Sequence, residues 1–97
     1  MQVAPAELES LLLENDGVAD AAVVGVTVNG DEVPRAYIVK VAKAEITEKS
    51  VADWVERRVA KHKFLRGGVV FVDAIPKNPV LRERAAKEVG DLKAKLA

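Results

Sequence analysis

The chain reads as an α+β domain of the order α-β-β-α-β-α, a small three-stranded sheet flanked by helices. Three observations predict it. Apolar residues recur at helical spacing in three separate stretches. Between them lie valine-rich runs of strand character. The first two runs are separated only by Asn29-Gly30-Asp31, a strong hairpin signal.

Each element follows from local chemistry. Pro5 is tolerated at a first helical position, and Glu7 and Glu9 follow where the helix dipole favours acids. Leu8, Leu11 and Leu12 form one stripe, and Asn15-Asp16-Gly17 stop the helix, which the pattern places at about residues 5–14. Val18 to Val28 reads as a strand, with Gly25 marking a candidate bulge. Ala36 to Val41 reads as its hairpin partner, with Pro34 kept at the mouth. Thr47 is a good N-cap for a second helix to about Lys61, with Val51, Trp54, Val55, Arg58 and Val59 on one face. The Arg58 stem can cover the edge of that face. Gly67-Gly68 break the chain before a third strand, Val69 to Val72. Leu81, Ala85, Val89, Leu92 and Leu96 trace a third helix, with Gly90 a weak spot inside it. The short link makes the first two strands antiparallel, whereas the direction of the third is open.

Composition narrows the function classes. The 97 residues allow one domain and one modest core. With 49% hydrophobic and 31% charged residues the chain is of globular rather than disordered type. Fifteen basic and fifteen acidic side chains balance to a formal charge of +0, giving no global attraction to nucleic acid or anionic membrane. The absence of cysteine excludes disulfides, thiolate zinc sites and cysteine nucleophiles. The single histidine, His62, cannot build a histidine-rich metal site, and a surface position is its plainer reading. No apolar run approaches the ~20 residues that span a bilayer. The start MQVAPAELES lacks the regions of a signal peptide and begins abruptly in structured-looking sequence, as expected of a piece of a longer chain with Met1 an added start. The end KAKLA is one residue beyond a tripeptide resembling the peroxisomal address, so as written it fails. A cytoplasmic or peroxisomal, non-secreted monomer is the expectation.

Local clusters carry little chemistry alone. Arg57, Arg58, Lys61, Lys63 and Arg66 fall within ten residues with no intervening arginine-pairing acid. They suit either a phosphate site on a nucleotide or coenzyme A, with Lys63 and Arg66 its candidate contacts, or a solvated helix end whose cations match the helix dipole. The second is the plainer reading for the cluster as a whole. Gly67-Gly68 lacks the following lysine and helix of a phosphate loop and reads as a turn needing positive φ. Trp54 and Tyr37 sit on periodic apolar faces and read as core. Glu7, Glu9, Glu14 and Asp16 read as a solvated face, and Gln2 alone as a terminal residue.

Four segments in order then carry a resemblance: QVAPAELE at 2–9, DAAVVGV at 20–26, PRAYIV at 34–39 and LRGGVVFVDAIPK at 65–77. Together they resemble the C-terminal domain of the adenylate-forming superfamily, which includes acyl-CoA synthetases, 4-coumarate–CoA ligases and luciferases. The resemblance covers nearly the whole chain. It implies a mobile lid on a large N-terminal domain, absent here, that binds ATP, Mg²⁺ and a carboxylic acid. In one lid orientation the acid attacks the α-phosphate to give an acyl-adenylate; in the other, coenzyme A attacks that adenylate. It further implies that Gln2 faces the active site in the thioester-forming orientation, that the lid alone binds no cofactor or metal, and that the detached chain is inactive.

One departure stands out. The family turn usually reads P-K-x-x-S/T-G-K before a short apolar residue and L-R, whereas here Pro79 runs straight into Val80-Leu81-Arg82. Inserting Ser-Gly-Lys between Pro79 and Val80 restores the register. The adenylation lysine is therefore absent, and Lys77 matches the lysine ahead of the gap rather than the missing one. A deliberate deletion, a natural loss in a degenerate ligase and a mobile tip missing from the sequence all remain open origins. Two rival functions also remain: a stand-alone binding module using residues 57–66, and the lid of a luciferase-like oxidoreductase.

Overall fold

A computed structural model describes residues 5–76, 80–81 and 83–89 of the 97. Gln2, Lys77, the junction after Pro79, Gly90, Leu92 and Leu96 lie outside the described residues, as does the side chain of His62. The elements run α1 (Pro5–Leu12), β1 (Val18–Val28), β2 (Asp31–Lys40), α2 (Glu48–Glu56), a 3₁₀ turn (Lys61–Lys63), β3 (Val69–Phe71) and α3 (residues 83–89, with 80–81 also helical). The expected α+β class and α-β-β-α-β-α order hold.

β1 and β2 form an antiparallel hairpin closed at Val28 and Asp31. Asn29 (φ 51) and Gly30 (φ 83) both take positive φ, the geometry that matches a two-residue turn to the twist of its strands. β3 pairs parallel to β2, so β2 is the central strand. The α2 crossover supplies the length that a parallel connection needs.

The sheet carries helices on both faces. Leu8 and Leu12 of α1 and Val51 and Val55 of α2 pack with Val23, Ala36, Ile38 and Leu65 on one face. Leu81, Ala85 and Val89 pack with Ala22, Val24, Val26, Val33 and Tyr37 on the other. Burial on both faces explains why β1 reads as a valine run rather than a polar–apolar alternation.

Several boundaries move. α1 ends at Leu12 rather than near 14, because Glu14 and Asn15 bond back only three residues and the Asn15 side chain accepts from the Gly17 amide at 2.9 Å. α2 ends at Glu56 rather than near Lys61, since Ala60 is extended and starts the 3₁₀ turn. Its N-cap is as expected. Thr47 Oγ1 accepts from the Ser50 amide at 3.1 Å, and Ser50 Oγ accepts from the Thr47 amide at 2.9 Å.

Gly25 is not a bulge. It pairs regularly with Pro34, and the register shift lies between Val18 and Asp20. The missing side chain instead leaves room for Glu32, whose Cδ would lie 3.1 Å from an added Cβ. Pro34 likewise sits inside β2, which begins at Asp31, not at the mouth of the hairpin. Its carbonyl accepts from the Gly67 amide at 2.8 Å, so its ring nitrogen also faces the β3 side. β3 pairing starts only at Ala36–Val69, so no ladder bond is lost there.

Candidate functional site

Val72 extends β3 by donating its amide to the Ile38 carbonyl at 2.9 Å. Asp73 and Ala74 then turn out to solvent, and Phe71, Val72, Asp73, Ala74 and Arg84 line an open groove of about 400 Å³. Val80, at the start of the following helix, is 57% exposed, whereas Leu81 is fully buried. β3 and the buried Leu81 are thus the described anchors that flank residues 77–79 in the chain.

What seats α3 is a polar cluster on the same face. Arg35 is buried in the central strand. Its Nε donates to the Tyr37 hydroxyl at 3.0 Å and its Nη1 to the Gly67 carbonyl at 2.6 Å. The Tyr37 hydroxyl in turn donates to Glu88 Oε1 at 2.5 Å. Arg35 Nη2 and Arg84 Nε approach the same carboxylate oxygen at 3.6 and 3.4 Å. Both guanidiniums stand 5.4 Å from the centre of the Tyr37 ring. Period-2 geometry places Arg35 and Tyr37 side by side on one face of β2.

Burial pushes the Tyr37 phenol above its ordinary value, and its bond to Glu88 adds to that; Arg35 opposes both. Tyr37 is thus a neutral donor at any ordinary pH. Burial raises Glu88 too, but the Tyr37 hydrogen bond and the charges of Arg35 and Arg84 outweigh it, so the carboxyl lies below its ordinary value. The cluster is a clamp made of one carboxylate, one neutral hydroxyl and two cations.

Gly67-Gly68 completes it. Gly68 has φ 104, as a sharp turn requires. A Cβ on Gly67 would lie 2.7 Å from Val26 Cγ2 and 2.8 Å from the Pro34 carbonyl oxygen. The pair is a close-approach turn onto β2, in line with the sequence reading.

The basic segment is spread out. Arg57 Nε donates to the Asp53 carbonyl at 3.3 Å and Arg58 Nη1 to the Trp54 carbonyl at 2.9 Å. The Arg58 guanidinium covers the Trp54 ring at 4.1 Å. Lys63 Nζ pairs with Glu7 Oε2 at 2.5 Å, tying the 3₁₀ turn to α1. Arg66 is exposed on the turn before β3. Lys63 also borders an open groove of about 660 Å³ between α1 and residues 58–63. Tyr37 is wholly buried and Trp54 half-buried against the core, as expected of both.

Sequence reasoning missed Arg35, Arg84 and Glu88. A signal was present: a cation inside the apolar run Pro34–Ile38 of a strand needs a counter-charge. What pattern alone could not supply was the partner, 51 residues away along the chain for the Tyr37–Glu88 bond. Among the described residues there is no group of acids or histidines placed to hold a metal ion, and no helix long and apolar enough to cross a membrane.

Comparison with known proteins decides the family. Residues 7–82 match the family described as AMP-binding enzyme C-terminal domain. The chain belongs to that family. Its relatives are members of the adenylate-forming superfamily. This chain is 49% identical over 79 residues to the Dictyostelium discoideum protein named Probable 4-coumarate–CoA ligase 1, covering 79% of this chain and 14% of that protein. It is 48% identical over 77 residues to luciferin 4-monooxygenase of Luciola mingrelica, covering 78% and 14%. ATP-bound MatB from Rhodopseudomonas palustris superposes with a TM-score of 0.79 at 34% identity, over 87% of this chain and 18% of that one. The chain therefore spans less than a fifth of the length of each of these proteins.

Proposed function

We propose that this domain is the mobile lid of an ATP-dependent acid–CoA ligase, most like the 4-coumarate–CoA ligases. The observation that carries this is the match over most of the chain to the C-terminal domain of proteins some six times its length, 4-coumarate–CoA ligases among them. All 97 residues form the lid, and the large domain that completes the active site is a separate part of the parent enzyme. There, ATP with Mg²⁺ activates the acid as an acyl-adenylate, and coenzyme A displaces AMP to give the thioester.

The lid's contribution is to complete one core in two orientations. Gln2 is assigned to the thioester-forming orientation. Arg66, exposed ahead of β3, is available to a phosphate; Lys63 becomes available only if it leaves Glu7. With Pro79 joined directly to Val80, the lid brings no adenylation lysine, so its residues serve the thioester step better than the adenylation step. The luciferase reading stands beside the ligase one through the Luciola mingrelica relative, since the residues that separate these chemistries belong to the large domain. The stand-alone binding module has less behind it, because Arg57, Arg58 and Lys63 are engaged within the domain.

The test is complementation. The chain is joined through its residue 1 to the large domain of a 4-coumarate–CoA ligase stripped of its own C-terminal domain, and thioester formation from the acyl-adenylate and coenzyme A is followed. The reading predicts a rate well above that of the large domain alone. A rate equal to that of the large domain alone overturns it.

A further inference from the structure

The two apolar clusters lie on opposite faces of the sheet. The α1–α2 face is anchored by two helices; among the described residues, α3 packs through Leu81, Ala85 and Val89, one residue per turn. Helices in water draw most of their stability from the apolar face they pack, so α3 depends on what it docks against. Its polar attachment converges on a single oxygen, Glu88 Oε1, which meets Tyr37 at 2.5 Å, Arg84 at 3.4 Å and Arg35 at 3.6 Å.

We propose that Glu88 is a latch: it holds α3 on the central strand through Tyr37 and Arg35, and its neutralisation frees α3 as a unit while the α1–α2 face stays folded. The receiver is buried and the latch is not. Arg35 and Tyr37 are 8% and 0% exposed, but the Glu88 side chain is 32% exposed and open to protons. Neutral Glu88 would leave Arg35 buried against a hydroxyl and a carbonyl, with Arg84 close by and no anion between the two cations.

Among the described residues, each element around Glu88 turns particular groups towards it. β2 supplies Arg35 and Tyr37, α3 supplies Arg84, and the 65–68 turn supplies the Gly67 carbonyl already held by Arg35. The segment after β3 supplies Asp73, which borders the same groove as Arg84. β1 presents Ala22, Val24 and Val26, all apolar. The linkage has one sign. The Glu88 carboxyl lies below its ordinary value in the folded domain, so its contribution is complete above the ordinary carboxylate range and is lost as pH falls through the folded value.

The latch itself does not depend on the ligase reading; it is a property of the domain.

The test is amide hydrogen exchange, expressed as protection factors from pH 3 to 7, on the wild-type chain, Glu88→Gln, Tyr37→Phe and the control Glu83→Gln, an exposed acid on the same helix. Trp54, the single tryptophan, reports the opposite face by its emission. At pH 7, Glu88→Gln should lower protection at 83–89 by about tenfold or more, with Val51–Val55 and Trp54 emission unchanged. Tyr37→Phe should act in the same direction and Glu83→Gln should not act. The wild type should approach Glu88→Gln as pH falls. Unchanged protection at 83–89 in Glu88→Gln overturns the proposal. So does an equal loss on both faces, or an acid-induced loss at 83–89 that persists undiminished in Glu88→Gln.

Discussion

Gly67 and Gly30 are both turn glycines, but they are glycine for different reasons. An added Cβ at Gly67 would lie 2.7 Å from Val26 Cγ2, 2.8 Å from the Pro34 oxygen and 2.9 Å from Arg35 Cβ. At Gly30 it would meet nothing within 4 Å, and only the positive φ of 83° resists it. Gly67→Ala should therefore destabilise the domain by about 2–3 kcal/mol through overpacking, and Gly30→Ala by about 1 kcal/mol through backbone strain. Urea unfolding of the two variants checks the order. Tyr37→Phe keeps the ring between the two guanidiniums but removes the hydroxyl shared by Arg35 and Glu88. It should lower stability by about 1–3 kcal/mol in the same measurement. At this scale the sequence was legible where one residue states its own need, as with Gly68 at the turn or Tyr37 in the core. It was not legible for Arg35, Arg84 and Glu88, whose meaning exists only once β2 and α3 are side by side.

At the scale of elements, periodicity located the three strands and, among the described residues, the three α-helices, but not the 3₁₀ turn at Lys61–Lys63, and local chemistry decided how well their ends were read. The N-terminus of α2 was legible because Thr47 states it through a side chain. The C-terminus was not, because the basic run 57–63 continues helix-compatible residues past the point where Ala60 turns extended. β2 was read too short because proline normally argues against a central strand. Its place there depends on β3 starting two residues further along, a tertiary fact. Thr47→Ala tests the cap directly. Loss of the reciprocal Thr47–Ser50 bonds should cost about 1 kcal/mol, seen as a lower urea midpoint with an unchanged slope. Unchanged stability would mean that packing of Val51 and Val55 alone fixes the start of α2.

At the scale of the molecule, the domain is a sheet with helices on both faces, and its family is shown by the match over residues 7–82. That family was legible because four short segments keep their order and spacing, although none is specific alone. The acid substrate was not legible, because on the proposed reading its contacts belong to the large domain of the parent enzyme. Along the chain, β3 and the buried Leu81 lie on either side of the Pro79–Val80 junction, where the resemblance expects Ser-Gly-Lys. The core on both faces is built from residues outside that gap. On the proposed reading, a turn shortened by three residues leaves the lid's core in place and removes one reactive side chain. The most direct measurement is to time the two half-reactions separately in the joined enzyme, with and without Ser-Gly-Lys inserted between Pro79 and Val80. The account predicts that insertion speeds acyl-adenylate formation by about 100-fold or more, while thioester formation from a supplied acyl-adenylate changes little. Equal adenylation with and without the insertion, or a lid that supports neither half-reaction, would contradict it.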